Sequence, residues 1–113
     1  MNATIKFELE VGWPEQKTLR IEMGDKLAEP REILYFAYFK GASKKSVPEV
    51  QAKLTNHGYR VSIEAKLLGA TKVTASKEHS LTDEVVEAHV TEVVKIVEGA
   101  GGQYDGFVGE VVD

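Results

Sequence analysis

Ile33-Leu-Tyr-Phe-Ala-Tyr-Phe39 carries no charge and closes on Lys40-Gly41, in a chain whose formal net charge is −4. A half-exposed strand alternates, so an apolar, aromatic-rich run this short predicts a central strand covered on both faces. One face would carry Ile33, Tyr35, Ala37 and Phe39, and the other Leu34, Phe36 and Tyr38. The remaining segments must then supply a layer for each side. A length of 113 residues suits a single domain over 1–113 that buries roughly two-thirds of its unfolded surface.

Before this strand, Ile5, Phe7, Leu9 and Val11 alternate with Thr4, Lys6, Glu8 and Glu10, and Leu19, Ile21 and Met23 alternate with Thr18, Arg20 and Glu22. Gly12-Trp-Pro-Glu-Gln16 between them has turn chemistry, so residues 1–24 predict a β-hairpin extension to a core over 30–113. Ser46, with Glu49 three residues on, predicts a capped helix that stops at Asn56-His57-Gly58. Tyr59 to Leu67 and Thr71 to Lys77 predict two paired strands. Ser80 and Asp83 open a second helix reaching about Glu98. Its Val85, Val86, Val90, Val93, Val94, Ile96 and Val97 fall on one half of the wheel. Asp105-Gly106 reads as a turn leading into a last strand through Val112. The order from Ile33 is strand, helix, strand, strand, helix, strand. This predicts an α+β fold of ferredoxin-like split βαβ (βαββαβ) type, an antiparallel sheet with the first and third strands central and both helices on one face. The hairpin would lie over the other face or extend the sheet edgewise.

Without cysteine, disulfides, thiolate catalysis and cysteine-ligated metals are excluded. No stretch approaches the ~18 apolar residues of a membrane span, so a cytoplasmic location is the expectation. Asp and Glu (18) exceed Lys and Arg (14), which argues against broad nucleic-acid binding and favours a basic partner.

His57, His79 and His89 share no metal-ligand spacing, and neither a metal nor another cofactor is expected. His57 reads as a helix-end residue and His79 as a loop residue. His89 falls on the apolar side of the second helix beside Glu92; it reads as a half-buried histidine satisfied by a neighbour, with an acid–base or pH-sensing role as the alternative. Tyr35, Phe36, Tyr38 and Phe39 would suit base stacking only if the N-terminal segment left them open, so core is the preferred reading. Asp83, Glu84, Glu87 and Glu98 give the second helix an acidic outer face, the largest coherent charged feature available to a partner.

Gly101-Gly-Gln-Tyr-Asp-Gly-Phe107, after that long helix, resembles the Gly-Gly-x-Tyr-Asp-Gly-Trp ending of the RraB family, regulators of ribonuclease E activity. Pro30-Arg-Glu-Ile33 leading to Tyr38-Phe39 and Gly58-Tyr-Arg-Val61 are similar to the family's entries into its first two strands. Phe107 replaces the family's tryptophan, Pro48 falls in a shortened first helix, and a hairpin stands where many members have a helical, acidic lead. Gly101, Gly102, Tyr104, Asp105, Gly106 and Phe107 read as structural, allowing the turn and anchoring it. The resemblance implies a non-enzymatic bacterial protein that inhibits ribonuclease E by binding its arginine-rich scaffold segment, with Asp83, Glu84, Glu87 and Glu98 as candidate contacts. An immunity-type domain unrelated to RNA decay and a small-ligand-binding domain remain alternatives, and the oligomeric state is open.

Overall fold

The computed structural model describes residues 2–113. Its N-terminal segment overturns the expected hairpin. Ala3–Phe7 (α1), a π-helical turn Glu8–Gly12 and Trp13–Glu22 (α2) form one helical rod; Met1 of the expected extension lies outside the described residues. The Asn2 side chain caps the rod, accepting from the backbone N–H groups of Thr4 (2.7 Å) and Ile5 (3.1 Å). Pro14 follows directly on the π turn, and its missing N–H interrupts the rod's hydrogen-bond ladder at the place where the winding changes. Ile5, Leu9 and Trp13 face the core, and their spacing of four is a multiple of two, so they share a side in a strand as well as in a helix. On a regular helix they would drift by about 40° per step. The wider π turn offsets part of that drift before Trp13. The residues that completed the apparent alternation, Phe7, Val11, Leu19, Ile21 and Met23, are exposed.

The sheet contains Arg31–Phe39 (β1), Arg60–Ala65 (β2), Thr71–His79 (β3) and Gln103–Gly109 (β4) in the order β2-β3-β1-β4, every pair antiparallel. β1 and β3 are therefore central, as expected. The helices Val47–Asn56 (α3) and Asp83–Gly99 (α4) join the strands. Arg31, Ile33, Tyr35, Ala37 and Phe39 are buried in one core with α3, α4 and the N-terminal rod. The opposite side of β1 is not covered: Leu34, Phe36 and Tyr38 are only half-buried. Two-sided burial of β1 is thus corrected, because all three helical elements share one layer.

Val86, Val90, Val93, Val94 and Val97 of α4 are all buried. Each contributes about 1.5 kcal/mol or more by burial, against a helix-propensity deficit below ~0.7 kcal/mol, so periodicity prevails over propensity. Neither serine expected as a cap acts as one. Ser43 instead bonds both backbone groups of Lys40 in a 3-10 turn, Gly41–Ser46, that feeds α3, and α4 starts from Thr82 without a side-chain cap bond.

The rod, α3 and α4 all stop on a glycine of positive φ, Gly24, Gly58 and Gly101. The following N–H reaches back to a carbonyl in the last turn in each: Asp25 to Arg20, Tyr59 to Leu54 and Gly102 to Val97, at 2.9–3.0 Å. Asp25 thereby enters a buried clasp. Its carboxylate meets Arg20 at 2.9 Å and Arg31 at 2.5 Å and accepts from the Val112 N–H at 3.3 Å. Arg31 donates further to the carbonyls of Lys26, Glu29 and Glu110, and Arg20 to that of Gly109.

Asp105-Gly106 is not a turn before the strand but an extra residue inside β4. The β1 register passes from Tyr35↔Phe107 to Ala37↔Tyr104, with Gly106 at φ +92°. This bulge turns both Tyr104 and Phe107 inward.

Candidate partner-binding surface

The four carboxylates singled out on α4 divide into two structural classes. Asp83, in the first turn, accepts from the Trp13 indole N–H at 3.0 Å and pairs with Lys17 at 3.0 Å. Those bonds hold its carboxyl below the usual carboxylate range, the Trp13 bond first. Glu98, in the last turn, accepts from the Asn2 amide at 2.9 Å and the Thr4 hydroxyl at 2.8 Å. The rod therefore runs antiparallel to α4 and is fastened to it near both ends. Glu84 and Glu87 are exposed and make no ion pair among the described residues.

A groove of ≈ 400 Å³ lies between rod and helix, with Leu9, Trp13 and Pro14 as its apolar floor and Glu10, Lys17 and Glu87 among its polar lining. Glu10 and Trp13 were not legible as site residues, because a hairpin places them away from α4. At the far end of α4, Gly101 and Gly102 form the helix stop, Asp105 is exposed at the bulge, and Phe107 packs on Tyr35 (5.5 Å) and Trp13 (6.0 Å) between ring centroids. Trp13 brings its indole against Phe107, the position for which the resemblance expects tryptophan.

The histidines form an internal network. His79, expected in a loop, is the buried last residue of β3, and its ring stacks on that of His89 at 4.1 Å and 14°. His79 Nδ1 donates to the Ser80 carbonyl at 2.7 Å, so its Nε2 accepts from the Tyr35 hydroxyl at 2.8 Å. The Tyr59 hydroxyl shares a hydrogen bond with His89 Nδ1 at 2.8 Å. Glu92 instead pairs with His57 at 3.1 Å. Among the described residues, no three potential ligands are placed to hold a metal ion.

Burial lowers the His79 pKa, and burial followed by His79 and Lys77 pushes His89 down to about 4 against the pull of Glu92. Their unfolded-state values are higher, so this contribution to stability is complete above pH ~6.5 and is lost as pH falls from there towards ~4. Thermal melts from pH 7 to pH 5 should show a loss of about 1 kcal/mol from this source, allowing for solvent screening. In His89→Gln that fall should be visibly flatter; an identical slope would assign the acid sensitivity elsewhere.

Residues 19–108 match the family model RraB, described as regulator of ribonuclease activity B. No curated protein matches the chain. No helix among the described residues is long and apolar enough to cross a membrane.

Proposed function

The chain belongs to the RraB family of ribonuclease regulators, and from that premise we propose that it is a non-catalytic, cytoplasmic inhibitor of ribonuclease E that binds the enzyme's basic scaffold segment. The observation that carries the site is the groove between the rod and α4, where Glu10 and Glu87 flank an apolar floor and Glu84 stands exposed on the adjoining turn. Apolar contact supplies affinity there, and uncompensated carboxylates attract and select a basic segment. Asp83 and Glu98 serve the same surface by holding the rod in place. The strand order with β1 and β3 central supports a ferredoxin-like reading of residues 30–113. A core shared with Ile5 and Trp13 supports one domain over 1–113.

The test is titration against the scaffold half of ribonuclease E at ~50 and ~200 mM salt, where screening separates charge-driven from apolar association. The double variant Glu84→Lys, Glu87→Lys should bind about tenfold or more weakly and melt within a few degrees of the unsubstituted protein. Unaltered affinity would remove this face from consideration. Absence of binding by the unsubstituted protein at either salt concentration would overturn the choice of partner.

A further inference from the structure

The side of the sheet away from the helices is an open platform. Leu34, Phe36 and Tyr38 project from β1 two residues apart, about 7 Å between neighbours. Their β3 partners are Ser76, Thr74 and Lys72, with Ser62 of β2 beyond Thr74. The short side chains of Ser62, Thr74 and Ser76 leave the row without a covering layer, while the flexible Lys72 lies over the Phe36 ring. At one end, a depression of ≈ 350 Å³ lies between Tyr38, Lys40, Lys66, Leu68 and Gln103. Leu67 and Leu68, at the tip of the β2–β3 hairpin, are 91% and 103% exposed.

Positive charge gathers at the Tyr38 end of this platform. Lys40 and Lys66 line the depression, and Lys72 stands 4.5 Å from the Phe36 ring centroid. The Lys44 ammonium lies 3.9 Å from the point where a side chain on Gly69 would begin, which places it at the same hairpin tip. Of the carboxylates on this side, Glu64 is already paired with Lys66 at 2.8 Å, Asp105 stands at the edge of the depression, and Glu32 and Glu78 face each other at the opposite end beyond Leu34, where Glu32 pairs with Arg60. The lysines thus cluster at the Phe36 and Tyr38 end of the aromatic row, and Glu32 and Glu78 lie at its Leu34 end.

We propose that this platform binds single-stranded RNA, with one base stacked on Phe36, the next on Tyr38, and the phosphates tracking Lys40, Lys66 and Lys72. Base stacking on an aromatic ring exceeds the attraction of an exposed lysine for that ring, so a base displaces Lys72 from Phe36 and leaves its ammonium for a phosphate. Unpaired bases are required because duplex RNA does not present base faces to a flat sheet. A basic peptide is disfavoured by the lysine rim. RNA rather than DNA is the source because the family regulates a ribonuclease, whose surroundings are RNA. The inference does not rest on the acidic groove, which lies in the other layer.

The experiment is fluorescence anisotropy of a labelled 12-nucleotide single-stranded RNA titrated with the full chain, beside a hairpin duplex and a DNA of the same sequence. The expected result is saturable binding to the single-stranded RNA that weakens at least tenfold between ~50 and ~200 mM salt. Phe36→Ala and Tyr38→Ala should each weaken it about tenfold. Tyr38→Phe, which keeps the ring, and Phe7→Ser, which removes an exposed ring from the N-terminal rod, should bind as the unsubstituted protein does. Lys40→Gln with Lys66→Gln touches no buried side chain and should lower both affinity and salt dependence, so the test survives a folding defect in the aromatic variants. Equal or tighter binding of duplex or DNA would overturn the proposal, as would affinity indifferent to Tyr38→Ala. A sedimentation mass of two chains that Tyr38→Ala returns to one, without an effect on RNA, would assign the platform to self-association instead.

Discussion

Asp25→Ala is expected to lower the unfolding free energy by about 3–5 kcal/mol, the cost of removing one partner from a buried ion pair. Two guanidinium groups would be left facing each other where Asp25 Oδ1 and Oδ2 now separate them. The Val112 N–H would lose its acceptor as well. Neither arginine can retreat to water easily, because both are buried and Arg31 is held by three further carbonyls. At about 4–8 °C per kcal/mol, the melting temperature at pH 7 should fall by roughly 12–40 °C. Burial raises the Asp25 pKa, yet its bonds to Arg31, Arg20 and the Val112 N–H outweigh this and leave it lowered. Its contribution is therefore complete above the ordinary carboxylate value of ~3.9 and lost as pH falls below that. The gap between Asp25→Ala and the unsubstituted protein should narrow in acid, and a gap that is constant with pH would contradict the ionic account.

Gly102→Ala should be the second most damaging of these changes, at about 1–3 kcal/mol, the usual range for overpacking a filled core. A Cβ at Gly102 would sit 2.9 Å or less from three carbons of the Phe39 ring. Phe39 is wholly buried, so its ring has nowhere to move. At Gly101 the order of expectation from backbone angles is reversed: φ is +85°, but the nearest atom to an added Cβ is Ser43 Cβ at 3.2 Å, on a half-exposed turn. Strain in the left-handed region costs a single residue roughly 1–2 kcal/mol. Paired denaturation curves should thus place Gly102→Ala at or below Gly101→Ala in stability. If Gly101→Ala proves much the worse, backbone angle rather than the approach to Phe39 governs this motif.

What was legible in the sequence depended on whether a pattern was local and unambiguous. α4 announced itself, because its valines repeat at helical spacing and fit no strand. β3 alternated and formed. The N-terminal rod did not announce itself: spacing by four satisfies both periods, and its outward residues are apolar. That misreading carried into the site. Glu84 and Glu87 lie on the exposed side of α4, as the period indicates, but the ties of Asp83 to Trp13 and of Glu98 to Asn2 and Thr4 exist only because residues 3–22 are helical. The clasp around Asp25 joins residues 20, 25, 31 and 112, and no sequence window spans those separations. The run Ile33–Phe39 was apolar on both sides without being covered on both. Phe36 is sheltered by Lys72 rather than by a second layer, and the condition for reading those rings as a binding platform is thereby met.

The bulge in β4 makes the length of the closing motif matter as much as its lettering. In an even pleat, residues three apart point in opposite directions, yet Tyr104 and Phe107 are both inside. The extra residue at Asp105-Gly106 is what reconciles them. Removing one residue there would straighten the strand and turn one of the two rings out to water, leaving a hole beside Tyr35 or opposite Ala37. Tolerance at this end of the chain is therefore a matter of counting: side chains at the exposed Asp105 can vary freely, whereas the number of residues between the two rings cannot.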